Sequence, residues 1–75
     1  MKAEEIRTKI ENGLPGSRVE VRDTTGTGDH FEAVIVAQQF SGKSMVEQHR
    51  IIYSILGSAM AGPIHALALR TSAAD

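Results

Sequence analysis

Ile6 and Ile10 stand four residues apart inside a charged stretch, with Ala3 and Leu14 near the same stripe. This spacing predicts an amphipathic helix over residues 2–13. Glu4 and Glu5 suit the positive end of its dipole, Glu5 and Lys9 form an i,i+4 pair, Gly13 reads as the stop and Pro15 blocks resumption. In RVEVRDT, Val19 and Val21 alternate with Arg18, Glu20 and Arg22, which predicts a strand over 18–24 with one buried face. TTGTGD is turn-forming. HFEAVIVA, with Phe31, Val34, Ile35 and Val36, predicts a second strand over 30–37, and its unbroken apolar run predicts burial on both faces, as in a central strand. The two strands make a hairpin.

After FSGKS, Ser44 and Glu47 have capping-box spacing, and Met45, His49, Ile52, Tyr53, Leu56 and Met60 follow as a helical stripe. A second helix is expected over 44–61, weakened by Gly57 and ended by Gly62–Pro63. IHALALRT then alternates as a third strand over 64–71, with Leu67 and Leu69 on one face, and a tail at 72–75 is expected to fray. The order is α-β-β-α-β. Right-handed crossover through the second helix makes the third strand parallel to the second. The expected fold is therefore α+β: one domain over 1–75, a three-stranded mixed sheet with both helices on one face, in an order resembling class II KH-like modules. His30 and His65 each open a strand, so in a parallel pair they start from the same end of the sheet. At a strand spacing of about 4.8 Å, both rings could reach one metal or cluster.

Composition narrows the functions available. Seventy-five residues hold one domain, and 4% aromatic content makes the core aliphatic. Eight Lys and Arg against nine Asp and Glu give a net charge of −1, which excludes nucleic-acid binding by bulk electrostatics but not by a local patch. There is no cysteine, so His30, His49 and His65 are the soft ligands apart from methionine. No apolar stretch approaches membrane-spanning length and MKAEEIRTKIENG has no signal-peptide apolar core, so a cytoplasmic protein without membrane contact is expected.

Phe40, Gly42, Lys43, His49, Arg50, Tyr53 and Leu56 form the pattern F-x-G-K-x5-H-R-x2-Y-x2-L, followed by Ile64-His65-Ala66-Leu67 with Leu69 and Thr71. With GDHF before them, these residues resemble the BolA family over about residues 19–71. The resemblance implies an adaptor rather than an enzyme, one that pairs with a monothiol glutaredoxin and shares a [2Fe–2S] cluster with it and with glutathione, in cluster trafficking or iron and redox sensing. It places the strand ligand on His65 and the loop ligand on His30. Two imidazoles in place of two thiolates on one iron are chemically allowed, as Rieske centres show.

Read without the resemblance, His65 shares parity with Leu67 and Leu69 and would be a histidine at the core edge, while His30 would be an exposed loop residue. His49 reads as a helix-packing histidine and Tyr53 as core with its hydroxyl at the surface. The family is also associated with transcriptional control and stress response, and an alternative is a small DNA-binding regulator using a basic patch of Lys43, Arg50 and Arg70. Gly26-x-Gly28 lacks the rest of a dinucleotide fingerprint. Gly13-Leu14-Pro15-Gly16 falls between a helix and a strand, not between the two helices that a KH clamp joins, and its proline removes an amide donor. Ser41 and Ser44 have no base and orienting group, and Asp29–His30 reads as a chance neighbour pair, so no catalytic residue is expected. Alone, the chain is expected to be a monomer or weak homodimer.

Overall fold

Three strands lie in the order β1 (Arg18–Asp23), β2 (His30–Ala37), β3 (Ala66–Ala73) in a computed structural model that describes residues 1–62, 64 and 66–74. β1 and β2 are antiparallel, from Arg18 opposite Val36 to Asp23 opposite Phe31. β2 and β3 are parallel, from His30 opposite Ala66 to Ala37 opposite Ala73. Helix α1 (Ala3–Gly13) packs on β1, α2 (Met45–Leu56) packs on β3, and the helices touch each other. This is the α+β architecture expected, a mixed sheet with both helices on one side. Its core joins Ile6 and Ile10 of α1, Phe31 and Ile35 of β2, and Ile52 and Leu56 of α2.

Several expectations are corrected. β2 is buried on one face only: Phe31, Ala33, Ile35 and Ala37 are buried, while Glu32, Val34 and Val36 are half-exposed. The apolar run is unbroken because Val34 and Val36 occupy the open face, opposite Glu20 and Arg18 of the edge strand. A two-layer fold leaves one sheet face uncovered, whatever the strand's place in the order.

The buried stripe of α2 is also rotated from the one expected. Gln48, Ile52 and Leu56 are buried, whereas Met45 is 54% and Tyr53 42% exposed. Ser44 caps the helix reciprocally with Glu47, and Gln48 follows one residue after that box; its Nε2 donates to the Lys43 carbonyl at 3.0 Å, so an amide enters the core with a main-chain partner. Helix α2 stops at Leu56 instead of reaching 61, because Gly57 takes φ +55°, a conformation that L side chains rarely adopt, and residues Gly57–Ala61 continue as a 3-10 turn. A second 3-10 turn, Gln38–Phe40, drops Phe40 into the core.

β3 runs Ala66–Ala73 rather than 64–71. Ser72 and Ala73 pair with Val36 and Ala37, and the Ala74 N–H donates to the Ala37 carbonyl at 3.3 Å, so that part of the tail is tied down by the end of β2. Gly13 is the last residue of α1, not a stop beyond it. A Cβ there would lie 2.7 Å and 2.8 Å from Cγ1 and Cδ1 of Ile55, so the glycine permits the close approach of the two helices.

Candidate functional site

The loop joining β1 to β2 is held by Asp23, the last residue of β1. Its Oδ1 accepts the N–H groups of Thr25 (3.2 Å) and Gly26 (2.8 Å), and its Oδ2 accepts that of Gly28 (2.9 Å). Aspartate at the head of a glycine-containing turn favours this side-chain to backbone pattern. The Thr24 N–H and hydroxyl both donate to the His30 carbonyl, at 2.9 Å and 3.2 Å, and close the hairpin. The N-terminal ammonium donates to the Gly28 carbonyl at 3.3 Å.

A second set of bonds runs to His30. The Thr25 and Thr27 hydroxyls are 2.6 Å apart, the Thr27 hydroxyl donates to Asp29 Oδ1, and that oxygen lies 2.8 Å from His30 Nδ1. A carboxylate only accepts, so this bond calls for a proton on Nδ1. The side chain of His30 is 43% exposed, within reach of a partner protein. The Asp29 carbonyl accepts the Ala66 N–H at 3.2 Å, which ties the loop to the first residue of β3. Asp29 and His30 are thus a bonded pair rather than chance neighbours.

Of the residues expected at the site, His30 stands where the parallel pairing begins, opposite Ala66. His65, the other expected ligand, lies outside the described residues. Among the described residues, no group of three or more His, Cys, Asp or Glu is gathered in a way that could hold a metal ion. His49 is half-buried on α2, with Nε2 shielded from solvent. Asp23, Thr25, Thr27 and Asp29 were missed as supporting residues. Their signal was the D-x-T-G-x-G-D spacing, in which short acceptors and hydroxyls flank two glycines.

The basic residues are exposed. Lys43 and Arg50 both act on Glu47, whose carboxyl is held below its usual range first by the Ser44 N–H, next by the Ser44 hydroxyl, and less by these two cations. Arg70 lies on β3 and lines a shallow depression with Val34, Met45, Thr71 and Ser72. The Thr71 hydroxyl donates to Met45 Sδ at 3.3 Å across that boundary. A larger open depression, lined by Glu20, Val21, Arg22, Glu32 and Val34, lies on the uncovered sheet face, with no histidine among its described lining residues. Among the described residues, no helix is long and apolar enough to cross a membrane.

A family model described as BolA-like protein matches residues 4–75. The chain is 36% identical over 72 residues to "BolA-like protein 1" of Pongo abelii, an alignment covering 87% of this chain and 53% of that protein. It thus spans about half the length of that mammalian relative. It is 33% identical to the "DNA-binding transcriptional regulator BolA" of Escherichia coli strain K12, over 91% of this chain and 71% of the relative. The solved structure of a bolA protein homologue from Coxiella burnetii superposes with a TM-score of 0.79 at 42% identity, covering 95% of this chain and 88% of the other.

Proposed function

The chain belongs to the BolA-like family, and from that premise we propose that it is an adaptor that pairs with a monothiol glutaredoxin and contributes histidine to a [2Fe–2S] cluster shared between them, in cluster trafficking or in iron and redox sensing. The observation that supports this most is the parallel register of β2 and β3, which brings the start of both strands to the same end of the sheet, with His30 opposite Ala66 and the Asp29 carbonyl bonded to the Ala66 N–H. His30 and His65 are the proposed iron-facing donors.

The donor chemistry of the described part fits such a group. A chain without cysteine has no thiolate to offer, so sulfur ligands must come from the glutaredoxin and glutathione. His30 offers a half-exposed imidazole whose Nδ1 proton is held by a carboxylate, the arrangement that commonly steadies a metal-binding histidine. When bound, the cluster supplies one-electron chemistry and transferable iron and sulfide. This chain's part is to present the ring, hold its proton on Nδ1 and keep the loop beside β3. It acts as a binding partner rather than an enzyme, in the cytoplasm. The test is to mix the purified protein with a monothiol glutaredoxin, glutathione, iron and sulfide. The visible absorption and circular dichroism of the cluster should change, and change less with His65→Ala or His30→Ala. Spectra indifferent to the added protein, or to His65→Ala, refute the reading.

A second reading, a DNA-binding regulator, is favoured by the likeness to the E. coli regulator and by the exposure of Lys43, Arg50 and Arg70. Glu47 stands between the first two cations and offsets part of their field, which ranks this reading second. Duplex DNA binding that weakens steeply with added salt supports it, and flat titrations at low salt remove it.

A further inference from the structure

We infer that Asp29 is a positioning residue for His30: by accepting the Nδ1 proton it selects the ring tautomer that presents Nε2 as the donor atom, an inference that rests on His30 having the role proposed above.

Neighbouring residues in a regular strand point to opposite faces, so adjacent side chains do not ordinarily meet. Asp29 meets His30 because it lies in the loop just ahead of β2. The loop is built to keep it there. Asp23 ties down the backbone of Thr25, Gly26 and Gly28, the Asp29 main chain is fixed to Ala66, and its carboxylate also takes the Thr27 hydroxyl. Main chain and side chain of Asp29 are thus both held before any metal arrives.

The chemical consequence is specific. A neutral imidazole in water prefers its proton on Nε2, which puts the lone pair on Nδ1, close to the main chain. An acceptor-only group 2.8 Å from Nδ1 favours the other tautomer, in which the lone pair is on Nε2. Removing an outer partner of this kind typically weakens metal affinity about 10–100-fold.

The experiment has two arms. In the first, the His30 tautomer is read in the isolated, nitrogen-15-labelled protein by long-range proton–nitrogen correlation of the neutral ring. Wild type is expected to carry its proton on Nδ1, Asp29→Asn to keep it there through the amide oxygen, and Asp29→Ala to move it to Nε2. Hydrogen exchange at Gly26 and Gly28, which depends on Asp23, should be unchanged in Asp29→Ala and reports that the loop is intact. A wild-type proton on Nε2, or an unchanged tautomer in Asp29→Ala, overturns the inference. In the second arm each variant is titrated into glutaredoxin carrying its cluster. Asp29→Ala should require about 10–100-fold more protein for half the spectral change. If the tautomer follows Asp29 but His30→Ala titrates like wild type, the ring is no ligand and the positioning role falls with the reading it rests on.

Discussion

Replacing Gly13 by alanine sets two known effects against each other, and the structure decides which wins. Helix propensity favours alanine over glycine by up to about 1 kcal/mol in a helix interior, and by less in the last turn where Gly13 sits. Against this, the new methyl would stand 2.7 Å, 2.8 Å and 3.0 Å from Cγ1, Cδ1 and Cγ2 of Ile55. Ile55 is β-branched and within α2, where one χ1 rotamer dominates, so Cγ1 and Cγ2 cannot both swing clear. Relief must come from moving α1 away from α2. Overpacking of this kind costs about 1–3 kcal/mol, and the clash with three atoms of a stiff side chain points to the upper half of that range.

The expected net loss for Gly13→Ala is therefore roughly 1–2 kcal/mol. In a domain of this size it should lower the melting temperature by roughly 5–15 °C. The assay is thermal and urea unfolding of wild type, Gly13→Ala, Ile55→Ala and the double variant. Because Ile55→Ala deletes all three clashing atoms, the double variant should be more stable than the sum of the single effects by about 1 kcal/mol or more. A Gly13→Ala protein that melts higher than wild type, or a cycle without coupling, refutes the argument that this glycine is there for helix approach.

Ser44→Ala removes the cap that accepts the Glu47 N–H at 3.2 Å and should cost about 1 kcal/mol in urea unfolding. The folded protein holds the Glu47 carboxyl below the ordinary glutamate range, so its contribution is present above that range and fades as pH falls through the folded value; the stability gap between wild type and Glu47→Gln should close in acid and be constant from pH 6 to 8. Phe40→Ala empties a fully buried site and should cost about 3–5 kcal/mol, against about 4–11 kcal/mol of total stability for 75 residues, leaving a protein near its unfolding midpoint in mild urea. Lys43→Glu with Arg50→Glu should leave the glutaredoxin spectra unchanged if the adaptor reading holds, and abolish salt-sensitive DNA binding if the second reading does.

The architecture was legible because its signals are local and redundant. Ile6 and Ile10, the alternation around Val19 and Val21, and the Ser44–Glu47 box each specify an element unaided, and the crossover rule then gives the parallel pairing. What was misread depends on which side of an element faces the core. Val34 and Val36 made β2 look buried on both faces, although among the described residues no layer covers the face they occupy. On α2, Met45 and Tyr53 outranked Gln48 by hydrophobicity, yet the amide is the one buried; its Nε2 finds the Lys43 carbonyl, its Oε1 is shielded with no hydrogen-bond partner among the described residues, and Tyr53 stays half in solvent. Gly13 was read for its turn-forming character, when the relevant fact was a side chain forty-two positions away. At the candidate site, His30 was visible as a residue type, but its support by Asp23, Thr27 and Asp29 is a matter of loop geometry that periodicity does not encode.

The proposed function requires that an imidazole from this chain touch iron. Label this protein alone with nitrogen-15 histidine, assemble it with unlabelled glutaredoxin, glutathione and cluster, reduce the complex, and record pulsed electron paramagnetic resonance. Directly coordinated nitrogen-15 should appear in the hyperfine spectrum and weaken in the His65→Ala and His30→Ala proteins. A reduced cluster that shows no nitrogen-15 coupling from the labelled chain would contradict it.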